Sequence, residues 1–234
     1  MASAAQSGSA DVSGTDTLSE RAASVVERDI IAGVLAPGAR LGIHDLVERY
    51  EIGATPLREG LSRLISRGLI VGIGQRGFRV ADISREDLLD ITRMRTVVEI
   101  EALRLAIANG DDAWEAEVLS ALHQMRRHIQ RTGDEFREGA PDFDRLHKGF
   151  HTALLAACGS RRLLTAHSDL YDQAYRYRRV MMRGFDSGKK FVAAHQSLAD
   201  RILARDVDGA QKMLASHLHS TLDFVYPPVK GDRS

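Results

Sequence analysis

The chain has 234 residues, 44% of them hydrophobic and 27% charged, an ordinary composition for a folded globular protein. Lys+Arg and Asp+Glu balance at 32 each, which excludes a global polyelectrolyte attraction to nucleic acid and leaves room only for a local basic patch. A single cysteine, Cys158, excludes an intrachain disulfide framework and fits a reducing, cytoplasmic setting; no apolar run approaches the ~18 residues that a membrane helix needs.

Residues 1–16, MASAAQSGSADVSGTD, have neither a basic nor an apolar signal region and are expected to form a disordered tail. Helical spacing begins at Thr17 and runs through ERAASVVERDIIA to a stop at Gly33. VLAPGARL reads as a turn around Pro37 and Gly38, IHDLVERY as a short second helix and EIGA as the next turn. A third helix, TPLREGLSRLISRG, has Thr55 as its expected cap, Pro56 as its first helical residue and Gly68 as its stop. LIVGIGQRGFRVAD then places two β-prone runs about a tip at Gly74 to Gly77. Three short helices and a β-hairpin over residues 17–82 predict a winged helix-turn-helix, a DNA-binding arrangement. Between Ala54 and Val80 five arginines (Arg58, Arg63, Arg67, Arg76, Arg79) face one glutamate, which reads either as a DNA-contacting patch or as a solvated helix face.

Residues 84–226 are expected to be all-α, with six helices at roughly 85–109, 113–132, 141–157, 161–183, 188–205 and 207–222 forming an antiparallel bundle. Ile91, Met94, Val98, Ala102 and Leu105 make an apolar stripe on the first, read as core. On the third, His147 and His151 stand one turn apart, so two imidazoles can share one cation, although such a pair is also what a plain polar helix face carries. His195 and His217 sit on the last two helices, and inward side chains from three rods of a bundle can converge on one point. Arg95 with Glu99 at i+4 reads equally as a ligand-holding arginine or as an ordinary intrahelical pair. Tyr171, Tyr175 and Arg178 share one face of the fourth bundle helix, expected to line the bundle cavity rather than the outer surface. Cys158 reads as a small buried residue.

Three segments, DIIAGVLAPGARL, TPLREGLSRLISRGLI and QRGFRV, resemble in order and spacing the DNA-binding domain of GntR-family bacterial transcription regulators. RMRTVVEIEALRLA, FHTALLAACGS and AAHQSLADRILARDVDGAQKMLASHL are similar to the FCD effector domain of the family's FadR branch, and six helices point to its VanR-like metal-binding subgroup. The resemblance implies operator DNA as partner, a homodimer and repression relieved by a small carboxylate effector. It assigns DNA contact to Thr55, Arg58 and Gly77 and effector binding to Arg95; Arg63, Gln75 and Arg76 join the DNA-contact candidates, and Tyr171, Tyr175 and Arg178 the effector candidates, from their positions in the basic patch, the hairpin tip and the shared helix face. The family's three histidine ligands fall on His151, His195 and His217, while His147 stands where the family has an aspartate. Four imidazoles and no carboxylate imply a borderline divalent metal, zinc or nickel. Gly53-Ala54 replaces the family's usual Ser-Arg before TP, which removes one arginine from the major groove. Two alternatives stay open: a DNA-binding regulator whose metal is purely structural, and a metallohydrolase. The second lacks the glutamate that a His-Glu-x-x-His enzyme uses, since Lys148 follows His147. No enzymatic activity is therefore expected.

Overall fold

The structure, a computed structural model, describes residues 17–74, 77–136, 140–181 and 188–227. The expected tail at 1–16, the hairpin-tip residues Gln75 and Arg76 and the expected helical residues 182–183 lie outside the described residues. The chain is mainly α: an N-terminal unit of three helices and a small sheet, followed by a bundle of six helices.

Helix α1 (Leu18–Ile31) starts at a reciprocal cap. The Thr17 hydroxyl accepts from the Glu20 amide at 3.3 Å, and the Glu20 carboxylate accepts from the Thr17 amide at 2.9 Å. Helix α2 (Ile43–Tyr50) is closed by Glu51 in a left-handed conformation, φ 55°. Helix α3 (Ala54–Ser66) begins earlier than the sequence predicts. Gly53, not Thr55, is its N-cap and makes no side-chain cap bond; Ala54 is first and Pro56 third in the helix. The amides of a first turn have no intrahelical acceptor, so proline at the third position forfeits no hydrogen bond. Strands β1 (Arg40–Leu41), β2 (Ile70–Gly72) and β3 (Phe78–Val80) form an antiparallel sheet ordered β1-β3-β2, with Ile70 opposite Val80 and Leu41 opposite Phe78. The sequence predicts only the β2-β3 hairpin; β1 lies within the stretch read as a turn.

Apolar residues at helical spacing in α1 (Ala22, Val26, Ile30) and α3 (Leu57, Leu61, Leu64) fill this unit's core. The two helices touch at Gly60, where a Cβ would lie 2.8 Å from the Ala23 nitrogen and 3.0 Å from the Ser19 oxygen. These neighbours are α1 backbone, with no flexible side chain to yield. Gly60→Ala therefore gains ~1 kcal/mol of helix propensity but loses more to overpacking, for an expected net loss of about 1–2 kcal/mol. A lowered urea-unfolding midpoint is the measurement; an unchanged midpoint would show that α1 and α3 can part freely.

The bundle comprises α4 (Arg85–Asn109), α5 (Asp112–Thr132), α6 (Pro141–Leu155), α7 (Arg161–Met181), α8 (Gly188–Leu203) and α9 (Val207–Val225). Helix α4 packs on α6, α7 and α9, and α5 on α6 and α8. The buried line of α4 departs from the predicted stripe: Met94 is 54% exposed and Leu105 half-buried, while Arg95 and Glu99 turn inward beside Val98 and Ala102. Paired charges buried in mid-helix explain the shift, because hydropathy alone assigns them to solvent. Cys158 is buried.

Helix α7 also forms the seam with the N-terminal unit. Tyr177 Oη accepts from the Ser84 amide at 3.0 Å and donates to Asp87 at 2.5 Å, while Arg176 donates to the Ala81 carbonyl. Leu88, Ile91, Ala174, Tyr177, Leu222 and Val225 form a small apolar cluster behind this link.

Candidate metal centre and DNA-contacting face

Four imidazoles meet inside the bundle. Helix α6 supplies His147 and His151, stacked on one face by their four-residue spacing. Helices α8 and α9 bring His195 and His217 against them. The Nε2 atom of His147 lies 3.0 Å from that of His195 and 3.0 Å from that of His151, and the His217 and His151 Nε2 atoms are 3.3 Å apart. One ligand atom from each ring lies within 4.8 Å of all the others. Tetrahedral zinc, with nitrogens at ~2.0–2.1 Å, spaces its ligands about 3.3–3.4 Å apart, so the donor set is compact enough for one cation.

The proton inventory fits a cation as well. His195 Nδ1 donates to the Phe191 carbonyl at 2.8 Å when its ring is neutral, which leaves Nε2 as a bare lone pair aimed at the cluster. His147 Nε2 faces two other ring nitrogens, and a single N–H cannot serve both contacts well. The Nδ1 atoms of His147 and His151 are buried with no hydrogen-bond partner among the described residues. Among the described residues His195 thus has an outer partner to orient it, and His147 and His151 have none.

Burial first, then the neighbouring imidazoles and the Arg178 guanidinium, hold the His147 pKa well below the ordinary range; burial and then His147 depress His151, and burial and then His195 depress His217. Burial pushes His195 from 6.5 to about 4. Such a ring takes up its proton more readily in the unfolded chain, so its contribution to stability is complete above pH 6.5 and declines as pH falls toward 4. The metal-free protein is expected to show a falling thermal midpoint across that window, and a midpoint that stays level would contradict the depressed values.

Tyr171 stands beside the cluster, its ring 6.0 Å from that of His147 and 6.1 Å from that of His151. Arg178 lies 4.7 Å and Arg95 5.3 Å from the Tyr171 ring centre, both guanidiniums buried. Arg178 also approaches the Tyr175 ring at 5.5 Å. Arg95, Tyr171, Tyr175 and Arg178 thus all face inward. Arg95 makes the intrahelical pair as well, with its Nε 2.8 Å from Glu99 Oε1. A cleft of about 350 Å³ lies between α1 and the α6–α7 pair, lined by Glu27, Arg28, Asp144, Lys148 and Tyr175. On the opposite side, His217 borders a groove of about 850 Å³ between α8 and α9.

In the N-terminal unit Thr55 and Arg58 are exposed on one face of α3. Arg63 turns toward α1 and pairs with Glu20 at 3.2 Å. Gly77 has φ +97°, a conformation that side-chain-bearing residues rarely adopt, at the base of the hairpin tip. Arg67 and Arg79, counted in the basic patch, are engaged elsewhere. Arg67 faces α1 and α7, and Arg79 pairs with Asp82 at 2.9 Å.

The FCD domain pattern matches residues 90–220, and that of "Bacterial regulatory proteins, gntR family" matches residues 18–80. The chain belongs to the GntR family of bacterial transcriptional regulators, with an FCD domain. Among GntR relatives, the HTH-type transcriptional repressor GlaR of Escherichia coli K12 is 35% identical over 88% of this chain and 95% of its own. The HTH-type transcriptional regulator BphR of Paraburkholderia xenovorans LB400 is 36% identical over 84% of this chain and 80% of its own. Two solved structures share the fold. E. coli McbR/YncC has TM-score 0.75 and 21% identity, covering 91% of this chain and 98% of its own. A GntR transcriptional regulator from Rhodococcus sp. RHA1 has TM-score 0.72 and 22% identity, covering 91% and 99%. These families and relatives are transcriptional regulators rather than enzymes, and the chain is a DNA-binding regulator of the same kind. Among the described residues no helix is long and apolar enough to cross a membrane.

Two groups beside this GntR protein's histidine cluster escape the sequence reading. Asp144, one turn before His147, accepts from Tyr171 Oη at 2.9 Å and lies 3.6 Å from Arg178; burial raises its pKa to about 6. Its spacing of three from His147 and seven from His151 places it on their helix face, a signal available in the sequence. His167 is buried with its Nδ1 3.2 Å from Glu99 Oε1. It lies four residues before Tyr171, and only the packing of α7 on α4 reveals its partner.

Proposed function

We propose that this GntR regulator is a repressor whose bundle binds one divalent cation and a small organic acid that alters operator affinity. His147, His151, His195 and His217 would hold the cation. The observation that carries the reading is the convergence of four ring nitrogens within 4.8 Å inside a bundle packed onto the DNA-binding unit. Imidazole donors without a carboxylate favour zinc or nickel over magnesium or calcium. When bound, the cation supplies a positive anchor for an anionic ligand. The chain's own contribution is the pair of guanidiniums, Arg95 and Arg178, that flank Tyr171 and suit a carboxylate. Tyr175 lines the cleft between α1 and the α6–α7 pair, one route by which a ligand would arrive.

On the DNA side, Thr55 and Arg58 would meet phosphate and base edges in the major groove. Arg63 would contribute at the margin, and Gln75, Arg76 and Gly77 would form the wing in the minor groove. Met94 and Val97, 54% and 69% exposed and one turn apart on α4, offer an apolar strip for a second copy, as a homodimer on a two-fold operator requires. Repression follows GlaR, the relative named a repressor. The test is a mobility shift of zinc-loaded protein on its operator in the presence of a panel of small carboxylic acids. Release by one acid supports the reading; indifference to all of them argues against it.

One observation favours a second reading, a purely structural cation. Four nitrogens already fill a tetrahedral shell and leave no position for a ligand. Under this reading a chelator lowers the thermal midpoint, and no acid changes operator affinity. A cytoplasmic location accompanies both readings.

A further inference from the structure

We propose that Asp172 couples the histidine-bearing helix α6 to the recognition helix α3, through Lys148 on one side and Arg67 on the other. This rests on the reading that the bundle controls operator affinity. Asp172 follows Tyr171, the residue that stands against His147 and His151. Its side chain is only 8% exposed, and both carboxylate oxygens are committed. Oδ1 accepts from Lys148 Nζ at 2.6 Å, and Lys148 directly follows His147 in α6. Oδ2 accepts from Arg67 Nη2 at 2.9 Å, and Arg67 is the C-cap of α3.

The Arg67 end is tied down on every side. Its Nε donates to Asp169 at 2.8 Å, its Nη1 pairs with Glu27 of α1, and its carbonyl accepts from Gln173 Nε2 at 2.8 Å. The end of the recognition helix is therefore fastened to three polar residues of α7, within little more than one turn, and to α1. Exposed pairs such as Glu101–Arg104 are screened by water and transmit little. A carboxylate removed from water with two cationic partners behaves differently, because neither partner can move far without leaving a charge poorly compensated. Any displacement of α6 that carries His147 also carries Lys148, and Asp172 must follow it or release it. Either response changes the anchor at the end of α3.

The test uses the full chain with zinc as the probe. Operator affinity is measured with zinc and with chelator for the wild type, Asp172→Asn and Lys148→Met, alongside zinc stoichiometry and calorimetry of the metal-free proteins. The wild-type affinities are expected to differ by at least about 5-fold between the two conditions, the lower end of ordinary coupling. Asp172→Asn is expected to keep stoichiometric zinc while this ratio collapses to one, and its single unfolding transition is expected to split as the two units separate. Lys148→Met cuts only the α6 arm, so it loses the zinc response while the single transition persists; it also serves if Asp172→Asn fails to fold. A variant that keeps both the wild-type ratio and the single transition overturns the proposal. A wild type indifferent to zinc shows instead that the cation alone does not move the head. The mechanical link is then decided by calorimetry: a split transition in Asp172→Asn upholds it, and an unsplit one overturns it.

Discussion

His151→Ala is expected to abolish stoichiometric zinc binding, measured by elemental analysis after dialysis. His151 contacts His147 of its own helix at 3.0 Å and His217 of α9 at 3.3 Å through Nε2 atoms. Loss of an outer partner of a metal ligand typically costs 10–100-fold in metal affinity. Loss of the ligand itself should exceed about 100-fold on that scale. His219→Ala is the matched control: this ring is exposed on the same α9 and points its Nδ1 at the Ala215 carbonyl, away from the cluster. It should leave zinc content unchanged. Full zinc retention in His151→Ala would remove the candidate centre from consideration.

Arg58→Ala is expected to weaken specific operator binding by about 1–3 kcal/mol, roughly 5- to 150-fold, in a titration at fixed salt. The argument is positional. Arg58 is exposed in the second turn of α3 on the same face as Thr55, with no carboxylate within salt-bridge reach among the described residues. Gly53 and Ala54 supply no cation ahead of it, so Arg58 is left to carry more of the readout by α3. Arg63→Ala should cost less, because its guanidinium already spends part of its hydrogen-bonding capacity on Glu20. Equal losses from the two variants, or none from Arg58→Ala, would contradict the orientation assigned to α3.

Much of this was legible in the sequence, for identifiable reasons. The three N-terminal helices and the six bundle helices announce themselves by apolar spacing and by glycine or proline stops, which are local signals. The four histidines could be brought together by helix periodicity and the resemblance to the FCD domain. What the sequence hid depends on partners far along the chain. Strand β1 has two residues and exists only because β3 pairs with it. Arg95 and Glu99 look solvent-facing until His167 and Tyr171 arrive from α7, and their inward turn sends Met94 to the surface. Arg67 counted toward a DNA-facing patch because a charge tally carries no direction, whereas its partners lie 102 and 105 residues away. Asp144 was within reach of simple periodicity but lies six residues before the FHTALLAACGS segment that carries the resemblance.

The pinned connection between the units has a consequence for how the protein meets DNA. Only four residues, 81–84, separate β3 from α4; Tyr177 and Arg176 of α7 hold the Ser84 amide and the Ala81 carbonyl within that joint, and Arg67 fastens α3 to α7. The head is thus not a bead on a loose tether that must be caught and oriented at each encounter. Its orientation is set before contact, so little rotational freedom is lost on docking, and more of the contact energy remains as affinity. The same stiffness would set the task of the proposed effector: it would have to tilt a head already aimed, by work done against a packed joint, and a compound that merely fills space in the bundle would leave the aim unchanged.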